Sequence, residues 1–246
     1  MSELTHDRLT RDVTLWQRKK GHRFSSDDTV TAWVAMQVAP NAQRVADLGC
    51  GIGSVLLHLA WSMPTAQLVG IEAQQMSFDL VQRNIQDNGL QARVHAFHGD
   101  LRDGTAIAQL GGNFDLVTGT PPYFPPSTAL DAMDEQRAYA RIEYRGGVEA
   151  YIATGVTLLG PDAPLVLCGD SDAEHRVLAA ATAHGMHLHV RTIVLPRAGE
   201  PPLFTVWVLR RAAATLATQT LCLRDAAGER TDDAKRLREF SGFGYG

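Results

Sequence analysis

The run Val45-Ala46-Asp47-Leu48-Gly49-Cys50-Gly51-Ile52-Gly53-Ser54 carries the most chemical content in the chain. It lies between an apolar stretch that reads as a strand and a longer one that reads as a helix. Glycines at alternate positions let the backbone turn sharply and approach a ligand with no Cβ in the way. A dinucleotide pyrophosphate would call for Gly-x-Gly-x-x-Gly, but the position three after Gly51 is Ser54. Asp47, two residues before the first glycine, would repel a pyrophosphate and suits a cationic ligand. Glu72 closes the next strand-like run, Val69-Gly70-Ile71-Glu72. An acidic residue there is placed to accept both hydroxyls of a ribose. The bland alternatives are a glycine turn with no ligand and an acidic helix cap.

Asp47-Leu48-Gly49-Cys50-Gly51-Ile52-Gly53 resembles the first motif of class I methyltransferases. Those enzymes bind S-adenosyl-L-methionine, a ligand with both an ammonium and a sulfonium. The resemblance implies that cofactor here, held by Asp47, Gly49, Gly51 and Glu72. In His98-Gly99-Asp100-Leu101 it implies Asp100 on the adenine amine, with Leu101 beside it. Further on, Thr118-Gly119-Thr120-Pro121-Pro122-Tyr123-Phe124-Pro125-Pro126 resembles the Asn-Pro-Pro-Tyr motif of methyltransferases acting on planar nitrogens, namely adenine N6, cytosine N4 and glutamine amides. Such a nitrogen is a poor nucleophile because its lone pair is delocalised. Two acceptors on its N–H bonds, a side-chain oxygen and a main-chain carbonyl, pull it toward sp³ and aim the lone pair at the methyl group. Prolines keep that carbonyl presented, and a tyrosine offers a face for a base to stack on. Thr120, Pro121, Pro122 and Tyr123 are therefore the implied catalytic set, with Thr120 also reaching the cofactor. Thr120 stands where the family has Asn; a hydroxyl accepts one hydrogen bond but lacks the planar amide, which leaves the acceptor open.

Gly21-His22-Arg23-Phe24-Ser25-Ser26-Asp27-Asp28-Thr29-Val30 resembles the segment that precedes the sheet in bacterial tRNA (adenine-N6) methyltransferases, Gly-x-x-x-(Ser/Thr)-Asp before a helix. Either Asp27 or Asp28 matches its aspartate. Arg141-Ile142-Glu143 and Leu223-Arg224-Asp225-Ala226-Ala227-Gly228 also resemble that family, so the similarity runs along nearly the whole chain. It implies that the front segment packs over the cofactor, with Phe24 and Ser25 near its methionine end. The expected function is N-methyl transfer to a planar amine, with adenine N6 in tRNA as the family's substrate. A small-molecule or peptide nitrogen is the second reading, and a non-catalytic binding module that lost acceptor chemistry when Asn became Thr is the third. The implied partner is a methyl acceptor, tRNA or small molecule, with no membrane and no metal; the oligomeric state is open.

Bulk properties bound these readings. The 246 residues suffice for one large domain with a sizeable core. With 45% hydrophobic and 20% charged residues, the chain is neither disordered nor fibrous. A net charge of −4 lends no overall support to nucleic-acid binding. Residues 1–24 differ, with Arg8, Arg11, Arg18, Lys19, Lys20 and Arg23 against Glu3, Asp7 and Asp12. That excess reads as a solvated face or as a basic lip over a substrate entrance. Cys50, Cys168 and Cys222 are too scattered for a disulfide framework or a zinc site, which suits a reducing compartment. The start is too polar for a signal peptide and no run reaches a membrane span, so the expected address is the cytoplasm. His187 and His189 could face one side of a strand, but have no companion ligand nearby. Cys50 reads as packing, since methyl transfer from a sulfonium needs no thiol.

The elements that must position these residues alternate. Strands are expected at 44–48, 67–71, 93–97, 114–118 and 164–168, and helices at 54–61, 76–88, weakly near Ile107, and at 148–159. In the last, Val148, Tyr151, Ile152, Val156 and Leu159 share a face, and Gly160-Pro161 stops it. Repeated βαβ units imply an α/β, doubly wound, mostly parallel sheet, and the methyltransferase resemblance implies seven strands. Runs 186–195 and 203–210, linked by a Pro- and Gly-rich stretch, read as an antiparallel hairpin at the sheet edge, with a further β-like stretch at 219–224. A helix with Val30, Trp33, Val34 and Val38 on one face belongs to an N-terminal cap, residues 1–40, ahead of a methyltransferase domain spanning 41–246. The tail with Phe240, Phe243 and Tyr245 reads as a loose end or a flap.

Overall fold

The computed structural model describes residues 3–124 and 135–244. The chain opens with β1 (Leu4–Arg8), β2 (Thr14–Arg18) and α1 (Ser26–Val38). There follow β3 (Arg44–Leu48), α2 (Ser54–Ser62), β4 (Gln67–Glu72), α3 (Gln75–Asp87), β5 (Val94–His98), α4 (Gly104–Ala108) and β6 (Leu116–Gly119). The second half holds α5 (Glu135–Arg141), α6 (Val148–Leu158), β7 (Leu165–Gly169), α7 (Glu174–Ala183), β8 (His187–Leu195), β9 (Phe204–Arg210), β10 (Ala217–Cys222) and α8 (Asp232–Phe240).

The main sheet has eight strands in the order β10-β8-β9-β7-β6-β3-β4-β5. Strands β3 to β7 are parallel, with β3 flanked by β4 and β6. The order reverses there: β4 and β5 build outward on one side, β6 and β7 on the other. In such sheets a crevice opens beyond the carboxyl ends of the two central strands. Buried side chains form two clusters, one on each face of the sheet. One face of the sheet holds Val45, Leu68 and Val166 and the other Ala46, Leu48 and Leu165, as the two-residue period of a doubly covered sheet requires.

Two expectations are corrected. The sheet has eight strands, not seven, because β10 adds in parallel to β8. The β8–β9 pair is antiparallel as expected, but β9 also pairs antiparallel with β7, so the hairpin is interior and β10 forms the edge. Secondly, the front segment is not a solvated face throughout. Residues 4–18 form an antiparallel hairpin, β1–β2, with Leu15 and Gln17 fully buried, and Lys19, Lys20 and Arg23 follow it in a turn and loop. Two asparagines one turn apart, Asn84 on α3 and Asn88 at its C-cap, dock the hairpin. Asn84 exchanges hydrogen bonds with both Trp16 N–H (2.7 Å) and Trp16 C=O (3.1 Å), and Asn88 does so with Thr14 (2.9 and 2.8 Å). Alternate residues of β2 thus find on a helix the donors and acceptors that a neighbouring strand would supply.

The tail is ordered up to residue 244, while Tyr245 lies outside the described residues. Thr231 caps α8, and Phe240 stacks on His58 of α2 with ring centroids 4.9 Å apart. Ser241 Oγ sits 3.1 Å from His58 Nε2. Burial pushes the His58 imidazole down to about 4 from its usual 6.5. No helix among the described residues is long and apolar enough to cross a membrane.

A histidine that must stay neutral to remain buried favours the folded state above pH 6.5, and this stability is lost as pH falls from there through 4. The full span is worth on the order of 3 kcal/mol. Urea midpoints taken at pH 7 and pH 4.5 should therefore drop further for the wild type than for His58→Asn. Equal drops would show that this imidazole is not kept neutral by its burial.

Candidate active site

A cavity of about 700 Å³ opens at the carboxyl ends of β3, β4, β5 and β6. The glycine loop forms its floor. Gly49 has φ +59°, a left-handed value that strains any L side chain, and a Cβ there would come within 2.1 Å of the Tyr151 hydroxyl. Tyr151 of α6 also presses on Gly119 at the end of β6, where a Cβ would meet the ring at 2.7 Å. One buried phenol is thus wedged between the two loops of the crevice. Cys50 is buried against Gly70 of β4, and burial pushes its thiol up, consistent with packing.

The acidic residues occupy three different situations. Glu72 lines the cavity and ties the glycine loop to β4: its Oε2 accepts from Gly51 N–H at 2.9 Å and its Oε1 from Gln74 N–H at 2.6 Å. Burial raises its carboxyl, while these hydrogen bonds and the Arg145 guanidinium oppose the rise. Asp100 also lines the cavity, but Arg102 holds it through its N–H and a two-pronged guanidinium contact at 2.9 and 2.7 Å, keeping its carboxyl low. Asp47 lies outside the cavity wall, beneath the turn. It accepts from Thr118 Oγ1 at 2.8 Å, and burial pushes its carboxyl up to about 7. Leu101 is buried at the wall, its carbonyl held by Thr154 Oγ1 at 2.9 Å.

The opposite wall brings together Thr120, Pro121, Pro122 and Tyr123 with the front segment, including Phe24 and Ser25. Tyr123 turns its hydroxyl inward, donating to Asp27 Oδ2 at 3.0 Å and lying 3.1 Å from Cys168 Sγ of β7. Phe124 is held by a bridge to Ile142, with Phe124 N–H donating to Arg141 C=O and Glu143 N–H to Phe124 C=O, each at 2.9 Å. Arg176 of α7 in turn clamps Glu143 at 2.8 Å. Pro125 and Pro126 lie outside the described residues. Phe24 N–H donates to Gln17 Oε1 of β2 at 3.1 Å, and Ser25 is the N-cap of α1 in a capping box with Asp28. Both aspartates left open by the sequence face the cavity. Asp27 holds Tyr123 and Ser25, whereas Asp28 is buried and its carboxyl is pushed up to about 8 by desolvation and by Asp27.

The cavity wall includes residues that the sequence did not single out. Tyr151 read only as a core position of α6. Arg145 carried no signal: it follows α5, stacks over Tyr139 at 4.7 Å, and its Nη1 is buried with no hydrogen-bond partner among the described residues. His22, Arg137 and Arg141 also line the wall. Exposed His187 and half-buried His189 belong to β8, away from this wall, and the described residues contain no cluster suited to a metal.

S-adenosylmethionine fits this donor set. Asp28 is a buried acid in the wall whose ionised form has no cationic partner, and Glu72 is a second whose rise Arg145 only partly offsets, the situation a sulfonium and an ammonium relieve. The orphaned Arg145 Nη1, on a guanidinium that acts on both Glu72 and Asp100, is a buried donor awaiting an acceptor. The cradle at Gly49 and Gly51 admits close approach of a ligand to the main chain.

The family model for the methyltransferase small domain matches residues 24–137. The tRNA1(Val) (adenine(37)-N6)-methyltransferase of Tolumonas auensis is 30% identical over 187 residues, 75% of each chain. Among solved structures, a predicted O-methyltransferase from Agrobacterium tumefaciens superposes with a TM-score of 0.67 at 20% identity, covering 90% of this chain and 98% of the other. TYW2 of M. jannaschii in complex with AdoMet gives 0.56 at 14% identity, over 85% and 86%. With the fold, the cradle and a relative matched over most of its length, the chain belongs to the S-adenosylmethionine-dependent methyltransferases, in the family that includes the bacterial tRNA1(Val) (adenine(37)-N6)-methyltransferases.

Proposed function

We propose that this methyltransferase acts on a planar amine, the exocyclic N6 of an adenine in tRNA. The observation that carries the reading is the Thr120-Pro121-Pro122-Tyr123 ledge facing the glycine loop across one cavity whose wall bears Lys19, Lys20, Arg23, Arg137, Arg141 and Arg145. A basic rim around a base-sized cleft favours a polyanionic acceptor despite the net charge of −4. The similarity to enzymes named for tRNA adenine-N6 methylation supports the same substrate class.

Bound S-adenosylmethionine supplies an electrophilic methyl group. Gly49, Gly51 and Glu72 take its main-chain and ribose contacts in this reading, Asp100 and Leu101 its adenine, and Phe24 and Ser25 its methionine end. Asp47 acts through the turn: its hydrogen bond from Thr118 ties β3 to β6 directly beneath the two loops. Thr120 Oγ and a main-chain carbonyl of the ledge accept the N–H bonds of the amine and aim its lone pair. Tyr123, with its hydroxyl fixed by Asp27, presents its ring to the base. Residues 1–40 serve as a cap on a methyltransferase domain of residues 41–246, and the cytoplasm, where tRNA is found, is the matching compartment.

With methyl-labelled cofactor, label should enter unmodified tRNA transcripts; label found only in a metabolite extract would overturn the substrate reading. Asp47→Ala should weaken S-adenosylhomocysteine binding at least tenfold, about 1.4 kcal/mol, by calorimetry; unchanged affinity would remove Asp47 from cofactor support. Thr120→Ala should lower kcat roughly 10–100-fold, the scale of one lost transition-state contact, and leave cofactor affinity within about twofold. Thr120→Asn should raise turnover on adenine. An Ala variant with wild-type kcat would exclude Thr120 from the acceptor site.

A further inference from the structure

Methyl transfer leaves a proton to be disposed of. The lone pair of the acceptor nitrogen forms the new N–C bond while the methyl–sulfur bond breaks and its electrons remain on sulfur. The nitrogen is then cationic until an N–H bond gives its electrons back and the proton departs. Thr120 Oγ and a main-chain carbonyl accept hydrogen bonds but hold no proton at neutral pH.

The acids of the wall are already engaged. Asp28, pushed up to about 8, is protonated at neutral pH. Glu72 accepts from two main-chain N–H groups, and Asp100 is held by Arg102. Asp27 accepts from Tyr123, Ser25 and the N–H of Asp28. His22 differs: it lines the same wall, and no hydrogen bond to its ring is present among the described residues. Its placement follows from Gly21, where a Cβ would come within 2.2 Å of Gln136 Oε1. Only a residue without a side chain lets the front loop lie this close to α5.

We propose that His22 is the proton acceptor of the transfer and that Asp27 stabilises the imidazolium it becomes. The inference rests on the acceptor lying at the Thr120 ledge. Asp27 joins the two, since the carboxylate that holds the Tyr123 hydroxyl also acts on His22. Burial and three charged groups set the charge balance at the ring. Burial and the guanidinium groups of Arg141 and Arg137 on α5 push the imidazole down from its usual range, and Asp27 on α1 pulls it back. In the front segment itself, Lys19 is paired with Glu3 and Arg23 with Asp7, and Lys20 is exposed. The imidazole is therefore neutral before the transfer, the form able to take a proton, and its cation gains a carboxylate counter-charge afterwards. The proton passes from the acceptor nitrogen to a ring nitrogen of His22 and from there to solvent.

An NMR titration decides the placement without any acceptor. The nine histidines are followed in the full chain through their ring C–H signals, with His22 assigned by its absence in His22→Gln. The His22 midpoint should lie at least about half a unit lower with sinefungin, which carries an amine where the transferred methyl sits, than with neutral S-adenosylhomocysteine. Equal midpoints would put His22 out of reach of the transfer point and overturn the proposal. On whichever pool the wild type labels, His22→Gln should lose about 10²-fold in kcat and the acid limb of its pH profile, with S-adenosylhomocysteine affinity within about twofold. A variant that keeps that limb and the wild-type kcat would also overturn it. If the wild type labels no pool, the substrate reading fails by itself, and the titration still rules on His22.

Discussion

The site depends on the parallel pairing of β3 with β6, whose outgoing connections leave in opposite directions. The glycine loop follows one strand and the Thr120–Tyr123 segment the other, so the two lie at the carboxyl ends of adjacent strands and line one cavity. Thr118 donating to Asp47 joins the two strands by a side-chain bond at the residues just inside their ends. Tyr151 then fills the space between the loops, and both Gly49 and Gly119 lack side chains where its ring passes. A shift of one strand relative to the other would disturb the hydrogen bond and this packing together.

Burial sets the charge of this region. Desolvation raises the carboxyl groups of Asp28, Asp47 and Glu72, while the cavity wall also carries exposed Lys19, Lys20 and Arg141 and the partly buried Arg145. An acid buried without a counter-ion is costly, and a cationic ligand offsets that cost. One cavity thus combines buried acids suited to a small cation with exposed cations on its wall, although the chain as a whole is acidic.

The wall opposite the glycine loop is assembled from distant parts of the chain. The β1–β2 hairpin is held to α3 by Asn84 and Asn88, and the Asn84 amide also donates to Ile52 C=O within the glycine loop at 2.9 Å. A single buried side chain therefore links the cap to the cradle. The Thr120–Phe124 segment is tied to α1 through Asp27, to β7 through Cys168, and to α7 through Glu143 and Arg176. Loops with this many anchors hold their geometry before a ligand arrives, which is the condition for alignment to contribute to rate.

Local pattern determined much of this protein. Period-two and period-3.6 runs located the parallel strands and helices α2, α3 and α6 to within a residue or two, because burial on both sheet faces leaves continuous apolar runs. The glycine spacing was legible for a similar reason: close backbone approach to a ligand demands residues without side chains at those places. The β1–β2 hairpin was not legible, since its strand Leu4-Thr5-His6-Asp7-Arg8 is polar and its docking partners are two asparagines far along the chain. The eighth strand showed only as a β-like stretch at 219–224; its side chains are mostly exposed, and its place in the sheet comes from pairing with β8. Whether Asp47 meets the cavity or supports it from beneath, which aspartate holds Tyr123, and that Arg145 and His22 reach the same wall were decided by tertiary structure alone. Spacing along a chain reports which face of an element a residue occupies; what stands opposite that face depends on which other elements pack there.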